Sequence, residues 1–173
     1  MTALLCFDLA TRTGFAYWRP GIKVISGHFS MPKTGNDVGW FLDDFEIRLR
    51  EMFEFYKPDR CVFEAPWVGE KTSQDTARKL LCLAGVTEMV ARRAKAACSE
   101  ANNASVRKHF IGKGRGDRKT LKDMTMRACR ERGWDPDNDD EADALALLSY
   151  AADLLKLPTD WPVGGLFQAE AAH

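Results

Sequence analysis

The chain has 173 residues, of which 45% are hydrophobic and 29% are charged, and 25 basic residues balance 25 acidic ones. This composition is typical of a globular protein and excludes a disordered or fibrous chain. A chain of this length can bury a core without disulfides, so we predict one domain over residues 1–157. Residues 158–173 contain several prolines and glycines, which predict a surface tail.

The five cysteines are widely spaced and lie mostly in apolar segments. An odd, dispersed set favours reduced core thiols over a disulfide framework or a zinc site. The sequence has neither the pattern of a signal peptide nor an apolar run of membrane-spanning length. We therefore expect a cytoplasmic protein with no membrane partner.

The spacing of apolar residues and of turn-forming Gly, Pro, Asn and Asp predicts ten secondary-structure elements. In chain order they are strands over 3–9, 14–18 and 22–29, a helix over 38–56, a strand over 61–64, a helix over 73–96, a strand over 97–101, and helices over 104–110, 118–132 and 140–155. Three strands joined by short turns form an antiparallel meander, and the later elements alternate. This order predicts an α/β fold, with a mixed five-stranded sheet that combines the meander with parallel strands and has helices on both faces.

Two of the predicted strands end in a carboxylate, which is an unusual residue for the end of a buried strand. Asp8 follows the apolar run 4–7, and Glu64 follows the apolar run 61–63. A charge in such a place is costly unless a cation, a proton or hydrogen bonds compensate it. If the first and fourth strands pair in parallel, the two carboxylates lie side by side at one edge of the sheet.

A third acidic position lies at the start of the last predicted helix. Asp140 and Asp143 are three residues apart and share one helix face, whereas Glu141 points elsewhere. Apolar residues on the same side indicate that this face packs inward. Four converging carboxylates repel one another, so the set predicts a site for divalent cations, and hard oxygen ligands favour Mg²⁺ or Mn²⁺. Two such ions about 3.5–4 Å apart could act together on a phosphodiester.

Two of the acidic positions also have a structural interpretation when each is taken alone. Asp8 can cap the following turn through hydrogen bonds to the backbone. The pair of Asp140 and Asp143 resembles a capping box at a helix start. Glu64, which stands between an apolar strand and a proline, has no such simple alternative. The combination of all these positions favours the metal site.

Positive charge is concentrated in one stretch, although the chain as a whole is neutral. Residues 104–132 hold ten basic and three acidic residues, and residues 133–153 hold seven acidic and no basic ones. The basic stretch is either a solvated helical face or a phosphate-binding surface, and its position beside the acidic site favours the second. The glycine-rich segment 112–116 lacks the Gly-Lys-Ser/Thr ending of a nucleotide-binding loop, so we include it in the proposed phosphate-binding surface.

In the order and spacing of these motifs, the sequence resembles the RuvC-like Holliday junction resolvases, a branch of the RNase H-like nuclease superfamily. The resemblance covers residues 3–155 and rests on Asp8 with the following Gly14, on Glu64, and on the segment 140–146. It implies an RNase H-like fold and a homodimer that cuts branched DNA. The opening segment also resembles a phosphate motif of the actin and sugar-kinase superfamily, which needs two such domains, whereas this chain has room for one.

The resemblance also implies roles for individual residues. The metal ligands would be Asp8, Glu64, Asp140 and Asp143, which hold two Mg²⁺ or Mn²⁺ ions, and the catalytic set adds Arg118 or its neighbour Lys119. Trp67 matches a family aromatic that stacks on bases, and its structural alternative is ordinary packing. The implied DNA-binding set is Trp67, Arg107, Lys108, Lys113, Arg115, Arg118, Lys119 and Lys122.

We interpret the chain as a metal-dependent endonuclease that hydrolyses phosphodiesters at four-way or other branched DNA junctions, with no small-molecule substrate. One alternative is a related structure-selective nuclease, or one that cuts RNA–DNA hybrids. Another is a non-catalytic module that binds junctions. The helix over 73–96 is the candidate interface of the homodimer.

Overall fold

The computed structural model describes residues 2–35, 37–70 and 72–161. The strands are β1 (Leu4–Asp8), β2 (Arg12–Trp18), β3 (Ile25–Ser30), β4 (Arg60–Glu64) and β5 (Ala97–Ala101). The helices are α1 (Val38–Tyr56), α2 (Gln74–Arg93), α3 (Asn103–Ile111), α4 (Arg118–Glu131) and α5 (Asp139–Leu154). Within the described ranges, none of the helices combines the length and apolar character needed to cross a membrane.

The five strands form one mixed sheet in the order β3-β2-β1-β4-β5. β2 is antiparallel to both β1 and β3, whereas β4 is parallel to both β1 and β5. The predicted mixed sheet is therefore confirmed. The parallel register pairs Phe7 with Phe63, so the next residues, Asp8 and Glu64, reach the same edge of the sheet on neighbouring strands.

Alternating side chains of the central strands contribute to two apolar cores on opposite faces of the sheet. Leu5 and Phe7 pack with α1 and α2, and Leu4 and Cys6 pack with α3, α4 and α5. Asp8 is two residues beyond Cys6, so its side chain points to the same face of the sheet as those of Leu4 and Cys6. Its side chain is therefore on the sheet face that α5 covers.

Helix α5 lies directly over β1 and β2, and most of its residues are buried. Gly14 makes this approach possible, because a Cβ at Gly14 would overlap the backbone carbonyl oxygen of Asp140 and lie 2.9 Å from the backbone nitrogen of Glu141. Gly14 also pairs with Asp8 across the β1–β2 ladder. The first turn of α5 is thereby fixed beside the carboxylate edge of the sheet.

The element boundaries differ from the predicted ones mainly at turns. β2 begins two residues earlier than predicted, because Arg12 pairs with Ser30 on β3. β3 begins three residues later, because the preceding turn extends to Ile22, whose N–H donates to the carbonyl of the third residue before it. α2 ends at Arg93 rather than at residue 96, because Lys95 has a left-handed backbone with φ 61°.

The described part of the predicted tail packs against the domain. Trp161 is only 8% exposed, and its ring meets that of Trp18 edge-on with centroids 5.3 Å apart. The apolar core therefore includes a residue beyond the boundary predicted at 157. Residues 162–173 of the predicted tail lie outside the described residues.

Candidate active site

The predicted carboxylates meet where the ends of β1 and β4 face the start of α5. Glu64 is 7% exposed at the end of β4, and Asp143 has a largely buried side chain in the first turns of α5. Burial raises the pKa of Asp8 well above its usual range, and the negative charges of Glu64, Asp143 and Asp140 raise it further. These four residues therefore form one electrostatic unit, named here the acidic cluster.

The other two deeply placed carboxyls of the acidic cluster also have raised pKa values. The pKa of Glu64 rises to about 8, because burial and the charge of Asp143 outweigh the opposing effects of Arg107 and of a hydrogen bond from Asn103. Burial is also the main reason why the pKa of Asp143 is raised, against the opposing charges of Arg107 and Lys122. A bound divalent cation would relieve this repulsion, and a set of carboxylate oxygens fits Mg²⁺ or Mn²⁺ better than a softer metal.

Protein donors contact three members of the acidic cluster. Arg12 Nε donates to Asp140 Oδ2, and Asn103 Nδ2 donates to Glu64 Oε2. Arg107 Nη2 forms an ion pair with Asp143 Oδ2 at 3.8 Å. In the described part of the chain, no three of the four acids have ligand oxygens that all lie within 4.8 Å of one another. The four acids therefore influence one another electrostatically. Asp140, Glu64 and Asp143 are each also contacted by a different protein side chain.

The structural alternatives for two of the acids are not realised. The N-cap of α5 is Asn138, whose side chain accepts from the backbone N–H three residues on at 3.0 Å, so Asp140 is not the cap. At the start of β2, Thr13 Oγ1 donates to the carbonyl of Ala10 in the turn after β1 at 2.8 Å. Among the described residues, no backbone N–H donates to the Asp8 side chain. The sequence alone had left both capping roles open.

An ion-pair network that was not anticipated from the sequence borders the acidic cluster. Arg12 Nη2 lies 2.9 Å from Asp139 Oδ1, and the other carboxylate oxygen of Asp139 pairs with Lys122. Arg12 therefore links Asp139 to Asp140. Arg12 shares a strand face with Gly14, the residue that α5 approaches, so only the packing of α5 on the sheet reveals this contact.

The predicted basic residues fall into two groups. Arg107, Arg118 and Lys122 lie close enough to the acidic cluster to lower the pKa of Asp143. Arg118, Lys119 and Lys122 also line an open groove of about 540 Å³ between α4 and the start of α5. Three aspartates line the same groove, so basic and acidic side chains are mixed along it.

The remaining predicted DNA contacts lie around the loop between α3 and α4. Lys108, Lys113 and Arg115 are exposed, and none of them makes an ion pair with the acidic cluster in the described part of the chain. Their charged groups are therefore available at the surface. Their proposed role in binding DNA remains a prediction.

Trp67 stands at the surface, three residues beyond Glu64. It is 78% exposed, and its ring lies over Gly69, where an added Cβ would be 2.7 Å from ring atom Cζ2. Ordinary core packing does not explain so exposed a ring. Its free face is suited to stacking on a base.

A second polar group lies on the side of α5 that faces β3. His28, Asp137 and Glu141 have potential metal-ligand atoms that all lie within 4.8 Å of one another. The buried Glu141 accepts from Ser26 Oγ at 2.6 Å and from the backbone N–H of Asp137 at 3.2 Å. Asn138 Nδ2 lies 2.8 Å from His28 Nδ1. These contacts connect β3 to the start of α5, and they direct Glu141 away from the acidic cluster, as predicted.

The strand order, the helices on both faces and the acids at the ends of β1 and β4 define an RNase H-like fold. The chain is similar to the structure of Thermus thermophilus RuvC, with a TM-score of 0.67 and 16% identity over 89% of this chain and 96% of that one. T. thermophilus RuvC in complex with a Holliday junction substrate also gives a TM-score of 0.67, at 16% identity over 87% of this chain and 93% of that one. The yeast mitochondrial Holliday junction resolvase Ydc2 gives a TM-score of 0.56 at 14% identity, over 83% of this chain and 74% of that one.

These similarities establish that the chain has the RuvC-like form of the RNase H-like fold. The fold expected from the sequence resemblance is therefore confirmed. The sequence matches no family model and no curated protein. The chain therefore shares the path of the RuvC backbone at low sequence identity.

Proposed function

We propose that the chain is a metal-dependent endonuclease that resolves four-way or other branched DNA junctions. The observation that carries this proposal is geometric: Asp8 and Glu64 reach the same edge of the sheet, and the close approach at Gly14 sets the first turns of α5, with Asp143, beside them. Burial raises the pKa of all three carboxyls. Ionisable groups with strongly shifted pKa values cluster at functional sites in proteins. The RuvC-like fold supports the choice of a branched DNA substrate.

The acidic cluster would hold two Mg²⁺ or Mn²⁺ ions. Bound there, the ions would supply a water nucleophile at neutral pH and stabilise the leaving oxygen of the phosphodiester. Asp8 and Glu64 are held by neighbouring strands, and Asp140 and Asp143 by the first turns of α5, so rigid elements orient all four ligands. Arg107 lowers the pKa of Asp8, Glu64 and Asp143, and therefore favours the ionised carboxylates that a cation needs.

The groove beside the acidic cluster is the proposed path of the cut strand. Arg118, Lys119 and Lys122 line it and would bind phosphates next to the carboxylates. Arg118 or Lys119 would also stabilise negative charge that develops at the scissile phosphate. Lys108, Lys113 and Arg115 would extend the contact along the backbone, and Trp67 would stack on an exposed base near the branch point.

A second copy of the chain is the proposed protein partner. Leu81, Gly85 and Met89 lie at four-residue intervals on α2 and are exposed, with Leu81 55% and Met89 37% exposed. These three residues, named here the α2 stripe, form one helix face with a small residue at its centre. A two-fold dimer through this stripe would match the symmetry of a four-way junction, because each copy could cut one strand.

The direct test compares cleavage of a four-way junction, a flap, a duplex and an RNA–DNA hybrid by the native protein with Mg²⁺. Preferred cleavage of the four-way junction, in paired symmetric positions, supports a resolvase. Equal rates on all substrates remove the claim of junction selectivity, and preferred cleavage of the hybrid favours the related nuclease. Tight junction binding without cleavage in Mg²⁺ or Mn²⁺ identifies a non-catalytic binding module.

A further inference from the structure

Helix α3 contacts the acidic cluster through two side chains one turn apart. Asn103, the first residue of α3, donates from Nδ2 to Glu64 Oε2. Four residues later, Arg107 Nη2 lies 3.8 Å from Asp143 Oδ2. Residues spaced by four share one helix face, so the same face of α3 contacts two of the four acids.

The role of Asn103 differs from that of a helix cap. The N-cap of α3 is the preceding residue, Asn102, whose side chain accepts from the backbone N–H of Ser105 at 3.2 Å. The amide of Asn103 is therefore not needed to start the helix. Its hydrogen bond goes instead to Glu64, from a distant part of the sequence.

We propose that Asn103 is a positioning residue, which holds the Glu64 carboxylate in the orientation that binds a divalent cation. This inference rests on the proposed metal-dependent function and adds a residue that the sequence had not singled out. A donor to Oε2 leaves Oε1 available to a cation. In metal sites of proteins, residues that do not touch the metal commonly orient the metal ligands through hydrogen bonds.

The chemistry of the amide suits this position better than that of a charged donor. The Asn103 side chain is neutral, so it satisfies one carboxylate lone pair without adding a positive charge that would repel a cation. It also stabilises the ionised form of Glu64, since its hydrogen bond opposes the burial that raises the pKa of that residue. Arg12, in contrast, brings a full positive charge to Asp140.

The test measures Mn²⁺ binding to the full chain without DNA, by electron paramagnetic resonance of free Mn²⁺. Two variants remove the donor: Asn103→Ala, which favours the helix, and Asn103→Leu, which keeps a similar shape. We expect both to weaken Mn²⁺ binding by about 10–100-fold, the usual loss when an outer partner of a metal ligand is removed. The matched control is Asn102→Ala, which removes the cap of the same helix but leaves the Glu64 contact, and it should bind Mn²⁺ as the native protein does.

The possible failures can be told apart. If the native protein binds no Mn²⁺, the proposed metal site is wrong and this inference is overturned with it. If the native protein binds Mn²⁺ and both Asn103 variants bind it equally well, the positioning role is overturned while the proposed function stands. Equal weakening by Asn102→Ala, together with a matching fall in melting temperature, would also overturn the role, because it would assign the effect to the stability of α3.

Discussion

A side chain at Gly14 would occupy the space of the backbone carbonyl oxygen of Asp140. The absence of a Cβ on β2 thus allows the first turn of α5 to lie against the sheet, where Asp140 and Asp143 join the acids of β1 and β4. Gly14 is paired with Asp8 in the β1–β2 ladder, so the close approach occurs at the acidic cluster itself. The position of one glycine therefore helps to determine the geometry of the whole site.

The variant Gly14→Ala should both destabilise the protein and reduce its cleavage activity. The added methyl group must displace α5, and overpacking of this kind costs about 1–3 kcal/mol. Because the displaced turn carries two proposed ligands, activity should fall even at temperatures where the variant remains folded. Urea unfolding and junction cleavage measure the two effects.

Gly39→Ala on α1 is the matched control for this substitution. Among the described residues, the one atom near a Cβ there is Asp37 Oδ1, at an ordinary contact distance of 3.4 Å. Alanine is also generally favoured over glycine in a helix. This control should keep native activity and match or exceed native stability. Native stability in Gly14→Ala would contradict the proposed close contact.

The raised pKa of Glu64 predicts a pH-dependent loss of stability in the metal-free protein. The folded state retains the Glu64 proton up to about pH 8, whereas the ordinary value for a glutamate is 4.5. Between these values the folded state binds more protons than the unfolded state, so the free energy of unfolding falls as the pH rises through this window. Glu64→Gln keeps the shape of the side chain and removes this contribution.

Thermal unfolding in a chelator should therefore show a stability gain for Glu64→Gln that is small near pH 5 and large near pH 8. The gain should level off above pH 8, because Glu64 is then ionised in both states of the native protein. Glu70→Gln, at an exposed glutamate, serves as the control and should leave the pH dependence unchanged. A gain for Glu64→Gln that is independent of pH would contradict the assigned shift.

Trp67→Ala should weaken junction binding without affecting folding. The ring is 78% exposed, so its loss removes little core packing. Loss of one base–aromatic stack should reduce the binding free energy by about 1–3 kcal/mol. Trp40→Ala, at a tryptophan that is 56% exposed on α1, provides the control. Equal junction affinity for native protein, Trp67→Ala and Trp40→Ala would remove the stacking role.

A charge in the α2 stripe should disrupt the proposed dimer. Leu81→Arg places an unpaired charge within the expected interface, and burying such a charge is strongly unfavourable. Sedimentation analysis should show a dimer for the native protein and a monomer for the variant. Ile47→Arg changes a residue on α1 that is 38% exposed and should leave the dimer intact. A native monomer at micromolar concentrations would contradict the proposal.

The fold and the acidic positions could be predicted because they depend on local patterns. Apolar runs that end in Asp8 and Glu64 predicted two strand ends, and parallel pairing of those strands brings their ends together in any fold of this kind. The three-residue spacing of Asp140 and Asp143 predicted one helix face. In each case the relevant information lies within a few residues of the sequence.

The partners of these acids could not be predicted, because they depend on contacts between distant segments. The predicted second strand begins at residue 14, whereas the pairing of β2 with β3 extends the strand to Arg12, which contacts α5. Asn103 follows another asparagine at a helix start, a pattern that suggests only capping. Its contact with Glu64 exists because α3 follows β5, the strand parallel to β4.

The most direct measurement is cleavage of a labelled four-way DNA junction with Mg²⁺ or Mn²⁺ by the native protein and by Asp8→Asn. The native protein should produce paired symmetric nicks. The cleavage rate of the variant should fall by more than about 100-fold, the upper end of the loss when a residue that only supports a metal ligand is removed, while the variant still binds the junction. Asp43→Asn, at an exposed acid on α1, should cleave as the native protein does. Equal cleavage by native protein and Asp8→Asn would contradict the assignment of Asp8 to a metal site.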